Sequence, residues 1–233
     1  MDVKPIPGLE HLPYAEVWFH DVDDDRWREA SAQARALGKP GLEVWTTDRT
    51  PAVAEFFRQR GYHDDRRYLI SQLNVATAPD LGPPAFEVVT LAERPALAAA
   101  LYPIAAEAYP DQPGRAGTSI GTEEAWRSWG LEPHEPDAYF VAIEGDEVLG
   151  YGYLAHEDDS WTHGFAAVAR AHRGRGVAGA IKRAQIAWAK ARAVPALRTA
   201  TEVRLAQMRS LNGRFGFFPL YEEIVLRGAA SPP

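Results

Sequence analysis

Cysteine is absent from all 233 residues, which excludes disulfides, thiolate metal ligands and cysteine nucleophiles. Histidine is sparse too, with seven residues scattered along the chain and no pair at metal-ligand spacing. No apolar run is long enough to cross a bilayer, and the opening "MDVKPIPGLEHLPYAEV" lacks both the basic start and the apolar centre of an export signal. A cytoplasmic protein with no membrane partner is expected. Positive charge is in deficit, 25 Lys and Arg against 32 Asp and Glu for a net charge of -7. That balance argues against a general nucleic-acid binder but leaves room for a local basic pocket. What is present suffices for one large domain or two small ones: 46% of residues are hydrophobic and 24% charged.

The stretch "VATAPDLGPP" (75–84) is punctuated by proline and glycine between two apolar-patterned regions, as a short linker would be. We therefore expect a first domain over 1–78, a linker over 79–85 and a second domain over 86–229. In the second, "LAERPALAAALYPIAAEAYP" has helical spacing, and Thr122 ahead of Glu123 and Glu124 reads as a helix cap. Two helices thus precede the sheet. "DAYFVAIEGDEVLGYGYLAHE" predicts a hairpin about Glu144–Glu147, and "WTHGFAAV" a third strand. A glycine-rich loop, a helix to about Arg192, a strand "ALRTAT", a helix around "LAQMRSLNGR" and a last strand "FPLYEEIVL" follow. The segment 42–73 repeats the order of this closing region, strand, helix, Gly-aromatic pair and strand, with Gly61-Tyr62 falling on Gly216-Phe217. Upstream of each copy lies another strand and helix.

The loop "RAHRGRGVAG" (170–179) holds three glycines and four side chains able to carry positive charge, at the start of a helix. Read as G-x-G-x-x-G through Gly174, Gly176 and Gly179, it suggests a dinucleotide site with Glu202 as the ribose contact. However, the basic segment Ala169–Arg173 separates strand from first glycine, and too little chain follows Glu202 for a doubly wound sheet. A phosphate-binding Walker loop fails because no Gly-Lys-Ser or Gly-Lys-Thr is present. A basic helix start that binds nothing is the bland alternative.

In the register Arg173-Gly174-Arg175-Gly176-Val177-Ala178 the loop reads R-x-x-G-x-A and resembles the acyl-CoA loop of the GNAT acetyltransferase superfamily. The resemblance extends over 86–229, and the weak repeat makes the chain similar to tandem-GNAT proteins with a truncated first copy. It implies an α/β fold with a mixed, mostly antiparallel central sheet flanked by helices, and a smaller GNAT-like half-domain before it. It implies acetyl-CoA as cosubstrate, its pyrophosphate cradled by main-chain N–H groups at the helix start. The residues so marked are Val168, Ala169, Arg170, Arg173, Gly174, Arg175, Gly176, Val177 and Ala178, with Asn212 from the closing segment. In that segment tandem relatives carry Thr, two Asn, Met, a third Asn and Gly-Phe. Thr199, Met208, Asn212, Gly216 and Phe217 match, whereas Thr201 and Leu205 stand where the first two Asn fall. Many GNAT enzymes have a tyrosine general acid at the position of Asn212.

The activity implied is N-acetyl transfer to a primary amine of a small molecule or peptide, by direct attack on the thioester. Val168 N–H is the expected donor to the carbonyl. His163 and Glu202 are candidate bases and Tyr221 a candidate acid, each with an ordinary packing or capping role as the alternative. Trp126, Trp129, Trp161 and Tyr153 could line an acceptor cleft or pack a core. Acids in "EPHEPD" and "HEDDS" would suit a cationic acceptor. The rival reading is a catalytically inactive acyl-CoA-binding sensor or regulatory protein, and a homodimer is compatible with either. In the first copy, Asp21, Asp23, Asp24 and Asp25 stand at the equivalent helix start, where they repel a pyrophosphate. Their spacing falls short of a calcium loop, because Arg26 and Ala32 stand where glycine and a bidentate acid are needed.

Overall fold

The computed structural model describes residues 1–6, 9, 11–80, 82–157 and 160–232. The chain divides into two compact units, one of Met1–Ile70, Thr201–Leu205 and Pro219–Pro233, the other of Ser71–Ala200 and Ala206–Phe218. The division after Ile70 falls ahead of the linker expected over 79–85, and Thr201–Leu205 and the closing strand group with the first unit.

The first unit contains β1 (Val3–Pro5), β2 (Tyr14–Trp18), α1 (Asp24–Ala36), β3 (Gly41–Thr47), α2 (Pro51–Arg58), the first residues of β4 (His63–Asn74) and nearly all of β10 (Phe218–Ala229). β3 pairs in parallel with β2 and antiparallel with β10, from Glu223↔Thr47 to Ala229↔Gly41. Alternation along the strands sends Ala15, Val17, Leu42, Val44, Ile224 and Leu226 to one side, where Ala30 and Ala34 of α1 and Phe57 of α2 close a core. The other side of β3 carries Glu43, fully buried and neutralised by Arg66 and Arg227.

The second unit opens with a strand absent from the sequence reading, β5 (Glu87–Thr90), which pairs antiparallel with β6 (Tyr139–Glu144). Two helices therefore do not precede the whole sheet. Four residues are too few for periodicity to register, although the run Glu-Val-Val-Thr has strand chemistry. Between β5 and β6 lie α3 (Leu101–Ala108) and α4 (Glu123–Gly130), the latter capped by Thr122, whose Oγ1 accepts from the Ala125 N–H at 3.2 Å. β6 turns through Gly145 and Asp146 into β7 (Glu147–Glu157), followed by antiparallel β8 (Ser160–Val168), α5 (Val177–Ala191), β9 (Ala196–Glu202) and α6 (Ala206–Arg214). The order is β9-β8-β7-β6-β5 and only β8–β9 is parallel. This is the mixed, mostly antiparallel sheet flanked by helices that the sequence implies. Tyr139, Val141 and Ile143 face α3 and α4, while Phe140 and Ala142 face α5. Among the described residues no helix is long and apolar enough to cross a membrane.

The two copies of the repeat share their order of elements: β2-α1-β3-α2-β4 against β8-α5-β9-α6-β10. Gly61 and Gly216 take the same left-handed conformation, φ +83° and +85°, just after α2 and α6, where a helix ends most easily on glycine.

Candidate active site

A register break in β8 shapes the site. Gly152 pairs with Ala166 but Leu154 with His163, so β8 carries one residue more than β7 across this interval. Gly164 is required here, because the Tyr153 ring occupies the space a Cβ would take. Such a bulge bends and twists a strand. Beyond it, β8 and β9 part: their parallel ladder runs from Trp161↔Leu197 only as far as His163↔Thr199, while β8 continues to Val168. The Ala169 N–H donates to Leu149 O at 2.9 Å, which makes 149/169 and 151/167 the hydrogen-bonded pairs with β7. Val168 and Ala166 therefore turn their main-chain groups to the side that β9 has left.

At the far end of this opening is the glycine loop. Gly174 and Gly176 have φ of +78° and +91°, and a Cβ at either would meet no atom within 4 Å. Gly176 caps α5 with no side-chain hydrogen bond. The Ala180 N–H donates to Gly176 O, but among the described residues no acceptor meets the N–H groups of 174–179. Six donors, with the positive end of a helix dipole behind them, form an anion cradle. Val177 anchors it, its side chain buried beside Ile181 and Leu149.

Carboxylates hold the cations of the loop. Arg173 donates to Asp111 Oδ2 at 2.6 Å and to Val168 O at 3.1 Å. Arg175 reaches both oxygens of Glu144 at 3.0 and 2.9 Å and meets His172 Nδ1, while His172 Nε2 lies 2.9 Å from Glu147. Of the residues marked in the sequence, Ala169 and Arg170 have their N–H groups engaged, by Leu149 O and by Glu107 Oε2 at 2.7 Å. The N–H groups of Gly174, Arg175, Gly176, Val177 and Ala178 meet no acceptor among the described residues. Asn212 is buried in α6, its main-chain oxygen accepting from the N–H groups of Phe215 and Phe217.

The candidate proton-transfer residues divide between the units. His163 belongs to the second, at the vertex where β8 and β9 part. Its Nε2 is enclosed and meets no partner among the described residues, and burial holds the ring's pKa well below the ordinary histidine value. Glu202 and Tyr221 belong to the first unit. The Glu202 carboxylate accepts from Arg204 Nε at 2.6 Å and from the Arg204 N–H at 2.9 Å. Tyr221 lies beneath the Arg49 guanidinium, 4.4 Å from the ring centroid. Trp126 is a core residue, and Tyr153 stacks on His134 with ring centroids 3.8 Å apart. Asp158 and Asp159 of the acidic loop lie outside the described residues.

One functional group escaped the sequence reading. Lys182 of α5 is buried, its Nζ 4.7 Å from the centroid of Phe217, and burial lowers its pKa to about 7. His163 packs edge-on against that ring at 5.5 Å. A signal existed: Lys182 and Gln185 are three apart and adjoin the apolar stripe of Val177, Ile181 and Trp188, at positions usually assigned to the edge of a helix's wet face.

The copies differ at their helix starts. Where α5 begins on bare amides, α1 is capped by Asp23, whose Oδ1 accepts from the Arg26 N–H at 2.8 Å. Asp21, Asp24 and Asp25 pair with Arg26, Arg60 and Arg28. The first helix start is thus filled by its own acids.

The parted β8–β9 pair thus ends at an open, glycine-lined helix start. The model of the acetyltransferase (GNAT) family matches residues 98–217, and the chain belongs to that family. No curated protein matches it. Its fold is similar to that of a GCN5-related N-acetyltransferase from Sphaerobacter thermophilus, with TM-score 0.74 and 19% identity over 99% of this chain and 76% of that one. A tandem GNAT protein from the clavulanic acid biosynthesis pathway gives TM-score 0.67 and 18% identity over 95% of this chain and 76% of its own. A GCN5-related N-acetyltransferase from Kribbella flavida gives 0.59 and 15% over 94% and 82%.

Proposed function

We propose that the protein transfers an acetyl group from acetyl-CoA to a primary amine of a small molecule or peptide, by direct attack and with no covalent enzyme intermediate. The observation that carries this reading is the set of free N–H groups at 174–179, opening on the gap between β8 and β9. The residues present fit the cofactor. Bare space at Gly174 and Gly176 admits a diphosphate to the main chain, and six amides can satisfy its oxygens. Arg173 and Arg175 add charge nearby. Their ion pairs with Asp111 and Glu144 are partly exposed and contribute about 0–1 kcal/mol each, so a phosphate oxygen can replace either carboxylate.

Bound acetyl-CoA supplies a thioester carbonyl activated toward amines. Val168 N–H, on the side of β8 that β9 vacates, donates to the carbonyl oxygen as it gains negative charge. His163 accepts the proton of the attacking amine; its burial favours the neutral, basic ring. We assign no proton transfer to Glu202, held by Arg204, or to Tyr221, under Arg49. Without a tyrosine at 212, the departing sulfur takes its proton from elsewhere in the site or from water, and positioning supplies much of the acceleration.

Calorimetry with CoA tests the cradle. Wild type binds, and Gly176→Glu loses binding because it sets a carboxylate against the diphosphate. Equal affinity of the two proteins would overturn the assignment. Thiol release over a panel of amines then tests transfer: turnover supports it, whereas binding without turnover on any amine identifies an acyl-CoA-binding protein instead.

A further inference from the structure

Lys182 and His163 both pack against the Phe217 ring. Beside α5, the sheet presents Val88 of β5, Phe140 and Ala142 of β6 and Leu154 of β7, and the chain before the linker adds Val75. His163 of β8 is the titratable group they leave facing Lys182, and on α5 itself Arg183 turns to the Phe215 ring, 5.4 Å away. Phe217 touches both, its face toward the amine and its ring edge-to-face with the imidazole. Gln185, one turn on from Lys182, lies beside His163, where it favours the charged ring and partly offsets burial. Among the described residues no carboxylate pairs with Lys182. An aromatic face can hold one cation; a second in the same apolar pocket would have neither solvent nor counter-ion.

We propose that Lys182 and His163 form a pair carrying at most one positive charge between them, in which Lys182 is the positioning residue that, while protonated, keeps His163 neutral and able to accept a proton. The proposal rests on the reading of His163 as the base for acetyl transfer. A protonated Lys182 repels a proton from His163, so the imidazole stays neutral while the charge rests on the amine. The pair takes up a proton at His163 only where Lys182 has given its own to bulk water, so a second charge never enters the pocket. Groups coupled in this way titrate as a unit.

The test is an NMR titration of the full chain, with the His163 signal assigned through His163→Gln and lysine Cε carbons labelled. In wild type, His163 takes up its proton only well below the ordinary histidine range, while Lys182 loses its proton near neutrality. In Lys182→Met, of similar size and uncharged, the His163 midpoint rises by about one unit or more, and the acid limb of kcat/KM moves up with it. A merely structural lysine would move neither. An unchanged His163 midpoint in Lys182→Met overturns the pair, as does wild type with both groups protonated at pH 6; the wild-type measurement stands even where the variant fails to fold. The NMR titration itself needs no acetyl donor, so the outcomes separate: failure of transfer on every amine overturns His163 as base, whereas failure of the titration overturns the pair alone.

Discussion

Single residues decide what the loop and the bulge can do. Gly164 yields its side-chain space to Tyr153, so Gly164→Ala must displace the ring or straighten β8. Overpacking of this kind costs about 1–3 kcal/mol; we expect a lower urea midpoint together with weakened CoA binding, because the β8–β9 opening depends on the bulge. Glu43 makes the converse case, a carboxylate with no exposure whose Oε2 accepts from Arg227 Nε and Nη2 at 2.8 and 2.6 Å. Arg227→Met leaves half of that charge's partners missing and should cost about 3–5 kcal/mol, read from chemical denaturation. At this scale the glycines of the loop were legible, because R-x-x-G-x-A is local. Its acids were not. Arg173 meets Asp111 and Arg175 meets Glu144 across 62 and 31 positions, and composition carries no trace of which acid folds back onto which arginine.

Elements show a second kind of legibility. The β6–β7 hairpin, β8, α5 and the Thr122 cap of α4 follow from alternation, helical spacing and turn chemistry, all contained within about a dozen residues. β5 was too short for that method, and the bulge in β8 is invisible to it, since a one-residue slip appears only against a partner strand. α5 also carries a titration that periodicity hides. Burial lowers the Lys182 pKa from 10.5 to about 7, so between these values the unfolded chain binds a proton that the folded chain does not. Stability therefore rises with pH across that window, at up to about 1.4 kcal/mol per unit, and levels off below the folded midpoint where both states are protonated. Urea midpoints from about pH 7 to 9.5 should climb in wild type and lose that component in Lys182→Met.

On the scale of the whole molecule, the repeat was readable and the ownership of its last strand was not. β4 and β10 look alike in sequence, and nothing local says that β10 pairs with β3 through seven registered positions from Thr47 back to Gly41. A fragment of residues 1–78 would lack that partner and leave Glu43 without Arg227. We expect the fragment to be unfolded by circular dichroism and the chain cut after Phe218 to lose the first unit's protection in hydrogen exchange. A folded 1–78 fragment would show that β10 is dispensable to the first unit.

The placement of β10 also has a temporal side. A ribosome delivers β3 well before β10, so until β10 emerges the Gly41–Thr47 edge waits with unpaired main-chain groups. The first unit is thus completed only once the second has been made, and chaperone demand during synthesis should concentrate on it.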